Sequence, residues 1–246
     1  MTYQTAPARK EGRFATTHWS VVLAARTVSS PDYGKALTKL CETYWFPLYA
    51  YLRGRGYTIH QAEDLVQGFF AALMEKQGLR SVDPEKGKFR SYLLGALKHY
   101  LSDVRDQART RKQGGGYTVV SLDSQSWEKR LNLESDSGLS PEQIFNRKWA
   151  LTILQKSMHK LKAESAGAHE SNVTELIIRY LVPSGENVPY KITAAELKMS
   201  EAAVKAAVYR LRRRYRELLK DEIAQTVTAE DEIEDEIRHL FAALST

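Results

Sequence analysis

Apolar residues in this chain recur every third or fourth position in one segment after another, while stretches that alternate apolar and polar are nearly absent. That period lines one face of a helix, not one face of a strand, so the spacing predicts an all-α fold. A first short helix is expected over 19–26, with Thr16 or Thr17 as cap. Tyr33 to Gly54 carries Leu37, Leu40, Tyr44, Leu48 and Tyr51 on one side, which predicts a core helix interrupted or bent near Pro47. Thr58 caps a third over Ile59 to Glu75, and Lys88 to Arg109 reads as a long helix burying Phe89, Leu93, Leu97, Tyr100 and Leu101. Gly114 to Gly116 end that block, because successive glycines are costly in a helix. Residues 117–139 are polar and aperiodic, about as long as a loop becomes before it is a linker. Ser140-Pro141 then has the cap-then-proline order of a helix start, with a helix to about Lys162 and another from Asn172 to Val182.

With 246 residues the chain has room for two small helical domains, each with its own core. The expected division is a 1–32 extension with a short helix, a domain over 33–116, a flexible linker over 117–140, a second domain over 141–225, and an acidic helix over 226–246. Charge follows the same blocks. Basic and acidic residues number 18 and 10 over 1–116, 3 and 5 over 117–147, 14 and 7 over 148–220, and 1 and 8 over 221–246. Two basic blocks separated by an acidic connector point to a polyanionic partner. Cys41 is the single cysteine, so neither an internal disulfide nor a cysteine zinc site can form. The six histidines are scattered without ligand spacing. No phosphate-binding glycine loop, metal cluster or nucleophile beside a base is legible, so no catalytic residue, metal or cofactor is expected and the chain does not read as an enzyme. No signal peptide or apolar span is apparent, which makes the cytoplasm the expected compartment and leaves no membrane partner.

Three stretches carry chemistry. In TAAELKMSEAAVKAAVYRLRRRYR, a short helix capped by Thr193, a tight turn at Met199-Ser200 and a long basic helix have the layout of a DNA-reading helix-turn-helix. Val204, Val208, Leu211, Tyr215 and Leu218 form its packing sector, and Glu201, Lys205, Tyr209, Arg212, Arg213 and Arg216 the sector able to enter a major groove. Arg210 and Ser200 complete the expected contacts. Ala203, Ala206 and Ala207 offer little to base edges, so phosphates should dominate and binding should depend strongly on salt. In KGKFRSYLLGALKHYLSDVRDQARTRK, the cations Lys88, Arg90, Lys98, Arg105, Arg109, Arg111 and Lys112 alternate with Phe89, Tyr92, His99 and Tyr100. Cations that follow a backbone and rings that accept an unstacked base suit single-stranded nucleic acid; core filling by Phe89 and Tyr100 is the plainer alternative. In HQAEDLVQGFFAALME, Asp64, Gln67, Ala71 and Glu75 share one side. The acids Glu63 and Asp64 either serve the helix dipole or, with Gln67, form a docking strip for a basic partner helix.

The run AEDLVQGFF, then KGKFRSYLLGALKHYLSDVRD, then SEAAVKAAVYRLRRRYRELL, in this order over about residues 12–225, resembles the extracytoplasmic-function sigma factors of bacterial RNA polymerase, particularly a group with extensions at both ends. The resemblance implies two helical domains, regions 2 and 4 of the family, joined by the linker. It implies that Glu63, Asp64, Leu65, Gln67 and Phe70 bind the clamp helices of the beta-prime subunit. The Lys88–Lys112 stretch would open the minus-ten element and hold flipped bases. Ser200–Arg216 would read the minus-thirty-five element, with region 4 also touching the beta flap. His99, the three alanines and Gln113 depart from residues common in the family, which leaves the promoter sequence open. An anti-sigma protein or a kinase is a further candidate partner. A stand-alone helix-turn-helix regulator is the alternative, and the Asp64 strip is what it would not need. In the tail, Ile233, Ile237, Leu240, Phe241 and Leu244 recur at helical spacing among acids; one expectation is that this helix packs on the second domain and competes with DNA for its basic surface, the other that it only covers an apolar groove.

Overall fold

Thr58 and Ser140 show how helices in this chain begin. The Thr58 hydroxyl accepts the Gln61 N–H at 3.3 Å while Gln61 Oε1 accepts the Thr58 N–H at 3.0 Å. Ser140 and Gln143 repeat this reciprocal cap at 3.2 and 2.8 Å, so two orphan donors are satisfied at each start. The computed structural model describes residues 33–75, 88–110, 131, 136, 138–165, 168–181, 188–227 and 229–245. Within them the protein is all helical: α1 (Tyr33–Gly54), α2 (Ile59–Glu75), α3 (Phe89–Thr110), α4 (Pro141–Glu164), α5 (Ala168–Ile178), α6 (Tyr190–Leu197), α7 (Glu201–Ala224) and α8 (Glu232–Leu244). The expected helix over 19–26 and the glycine triplet lie outside the described residues.

Three local expectations are corrected. Helix α1 runs through Pro47 without interruption. Helix α5 begins before Asn172 and ends before Val182. Thr193 is not a cap: Pro189 stands at that position, and Thr193 is buried inside α6 with its hydroxyl 2.5 Å from that of Tyr180. A polar group so placed needs that partner, because an unmet buried hydroxyl is costly.

Helix α4 is the hub. It packs most extensively on α1 and also meets α7, α8 and α5. Ile144, Phe145, Trp149, Ala150, Ile153 and Leu161 are all buried, and they spread around α4 beyond a single stripe. At its start, α1 comes so near that a Cβ at Gly54 would stand 2.8 Å from Ile144 Cδ1. One apolar cluster therefore joins α1, α2, α3 and α4 with Leu219 and Ile223 of α7 and Leu240 of α8. A second, smaller cluster of Ile177, Ala194, Val204 and Val208 holds α5, α6 and the first half of α7 together. Of the expected linker, Leu131 belongs to the larger cluster, and the buried Asp136 carboxylate pairs with Lys148 at 2.5 Å.

Candidate nucleic-acid interface

The α6–α7 corner is built by backbone geometry. Lys198 adopts a left-handed conformation (φ 53°), and its N–H bonds back to the last turn of α6. The Met199 N–H does likewise, to Ala194 at 2.9 Å. Ser200 then starts α7, its hydroxyl accepting the Ala203 N–H at 3.2 Å. Val204 and Val208 point into the small cluster, and Leu211 and Tyr215 are half-buried along the same side. A stacked pair, Tyr180 and Tyr190, with centroids 4.8 Å apart, braces the corner.

This leaves Glu201, Lys205, Tyr209, Arg210, Arg212, Arg213 and Arg216 exposed, as expected, with Tyr209 70% exposed. They are not equally available. Arg212 donates to the Tyr180 carbonyl at 2.9 Å and Arg213 to Glu217 at 3.2 Å. Arg214 forks onto both oxygens of Glu164 at 2.7 and 2.8 Å. Lys205 lies 5.8 Å from the Tyr190 ring centre. Arg210 and Arg216 have no ion-pair partner among the described residues.

Helix α3 divides its expected contacts between surface and core. Phe89 is wholly buried and meets Tyr44 edge-on at 5.3 Å; it fills the core and cannot receive a base in this structure. Tyr92 is half-buried against the larger cluster. Tyr100 is also half-buried, tilted on Phe69 at 5.8 Å, and its hydroxyl lies over Gly68, where a Cβ would collide with it. His99 and Arg105 are exposed. Lys98 pairs with Glu142 at 2.8 Å, an interaction that lifts the lysine and lowers the carboxyl from their ordinary pKa values. Arg109 lies in the last turn of α3, and Arg111 and Lys112 fall outside the described residues. Lys98 and Arg105 line an open cleft of about 480 Å³ together with Arg55, Tyr51, Ser102 and Glu142. Arg55 was missed by sequence reasoning, because it follows the end of α1 with only Arg53 nearby, outside the longer basic runs.

Lys88 and Arg90 have a different fate. Both pair with Glu236 of α8, Lys88 at 2.5 Å and Arg90 Nε at 2.6 Å, and the glutamate is fully buried. Arg90 also donates to Asn146, and its guanidinium lies 4.7 Å from the Trp149 ring centre. Burial raises the Glu236 carboxyl, but Arg90 and then Lys88 outweigh it and hold the group below its ordinary range. The α8 ion pairs that reach other helices thus go to Lys88, Arg90 and Lys220. Among the described residues they do not go to the Lys205–Arg216 face.

On α2, Asp64 is exposed and Gln67 half-buried. Leu65 packs against the larger cluster, and Glu63 is mostly covered, its Oε2 3.8 Å from His60 Nδ1. Phe70 is only 3% exposed and stacks on Trp45 at 5.9 Å. As a surface contact it is corrected to a core residue, leaving Asp64 and Gln67 as the accessible part of the strip. Among the described residues no group of His, Cys, Asp and Glu is placed to hold a metal, and no helix is long and apolar enough to cross a membrane. The sequence matches no family model, and no curated protein or solved structure matches the chain.

Proposed function

We propose that this chain is a sigma factor of the extracytoplasmic-function type, which binds core RNA polymerase and directs it to promoters through two helical units. The observation that carries the reading is the α6–α7 corner: a left-handed turn and a serine cap aim a helix whose outer face offers Lys205, Tyr209, Arg210 and Arg216 to a groove. The exposed Asp64 on α2 and the exposed cations of α3 support the polymerase and minus-ten roles. In this reading α1 to α3 correspond to region 2, α4 to α7 to region 4, and phosphates supply most of the upstream affinity.

Run-off transcription with purified core polymerase on fragments of the source genome tests it. The chain should produce transcripts with discrete starts that core polymerase alone does not make. The opposite finding, no discrete start while the isolated chain alone protects an operator, selects the stand-alone regulator.

A further inference from the structure

The Glu236 carboxylate is held between two cations that come from outside its own helix. Its two oxygens face the Arg90 guanidinium, Nε at 2.6 Å and Nη2 at 3.4 Å, with the Lys88 ammonium at 2.5 Å. The fork of an arginine matches carboxylate and phosphate equally well. Arg90 is also held in place before any ligand arrives, by the Trp149 ring on one side and Asn146 on another. A guanidinium fixed in this way loses little freedom when it binds an anion. The carboxylate is brought there by α8, which is fastened by Leu240 in the core, by the partly buried Ile233, Ile237 and Leu244, and by Lys220–Glu234 at 2.5 Å.

We propose that Lys88, Arg90 and Asn146 form a seat for a backbone phosphate of DNA, and that Glu236 fills it within the same chain until α8 is displaced. The inference rests on the nucleic-acid-binding part of the function proposed above. It assigns two things that reading lacks: Asn146 as part of the DNA site, and α8 as an anionic occupant that DNA must replace. Lys88 and Arg90 stand at the start of α3, the helix whose exposed Lys98, His99 and Arg105 lie further along. A strand that follows α3 would therefore meet the seat at one end.

The test uses the full chain and a fluorescent fork-junction DNA of random sequence, because a phosphate seat does not read bases. Glu236→Gln should bind the probe about tenfold more tightly than the wild type. Its log affinity should also fall more steeply with log salt, by roughly one to two units, for the cations set free. Adding Arg90→Ala to Glu236→Gln should remove both gains. Independently of any variant, hydrogen exchange of the α8 amides in the wild-type chain should accelerate when the probe saturates it. Equal affinities for wild type and Glu236→Gln, or α8 protection unchanged with DNA bound, overturns the seat while leaving the sigma reading intact. Failure of either protein to bind the probe likewise overturns the seat alone, because a sigma factor can meet DNA only within the polymerase complex, and failure to capture polymerase with the affinity gain present removes the sigma reading alone.

Discussion

Phe70 and Asp64 lie six residues apart on α2 and separate packing from docking. Phe70 is stacked on Trp45 inside the larger cluster, whereas Asp64 is exposed. Truncating a buried phenylalanine costs about 3–5 kcal/mol, and a surface substitution away from such features stays within about 0.5 kcal/mol. Phe70→Ala should therefore lower the urea midpoint sharply, and Asp64→Ala should leave it nearly unchanged, in equilibrium unfolding followed by circular dichroism. Sequence reading placed both residues on α2, Asp64 on the polar strip by its spacing and Phe70 among the docking contacts only through the family resemblance. The helical period groups residues by angle, and an angle does not reveal how far a neighbour wraps around. Trp45, on another helix, decides that Phe70 is covered. For Phe89 the helical period did place the ring on the buried side, and core filling, the plainer of the two expectations, is what the Tyr44 contact shows.

At the scale of the element, starts and ends were legible alike except at α5 and at the start of α6. Thr58, Ser140 and Ser200 each precede a helix and cap it with their own hydroxyl, a short-range event written in adjacent residues. Thr193 misled because its hydroxyl is used by a distant partner, Tyr180, and not by its own backbone. Removing the Ser200 cap by Ser200→Ala should cost about 1 kcal/mol of stability, within the usual range for such caps, measured by thermal unfolding. The outer face of α7 makes a separate prediction. Lys205→Ala and Arg216→Ala should each weaken DNA binding and reduce the slope of log affinity against log salt by roughly one unit. Arg214→Ala should change the slope little, because that guanidinium is held by Glu164 and Glu217.

For the whole molecule, the arrangement around α4 could not be read from the chain. Apolar residues on several sides of α4 leave no single stripe to reveal a partner, and its broad contact with α1 joins segments separated by the expected linker. The acidic tail was legible as an amphipathic helix that packs on the second domain, as α8 does on α4 and α7, but its ion pairs with Lys88 and Arg90 were not, since that pair of cations is brought to α8 only in the folded chain. That pairing makes tail docking sensitive to acid. The folded Glu236 carboxyl lies below its ordinary value near 4.5, so its contribution is fully present above that value and is lost as the pH falls through the lower folded one. Protection of the α8 amides should hold from neutral pH to about pH 5 and collapse below the ordinary carboxylate range. Glu236→Gln should lack this acid-dependent step.

Capture of core RNA polymerase by the tagged full-length chain, titrated for wild type, Asp64→Ala and Lys205→Ala, tests the central claim most directly. The account predicts tight capture by wild type and by Lys205→Ala, and capture weakened about tenfold, roughly 1.4 kcal/mol, by Asp64→Ala. Recovery of no polymerase subunits by the wild-type chain, or equal recovery by all three proteins, would contradict it.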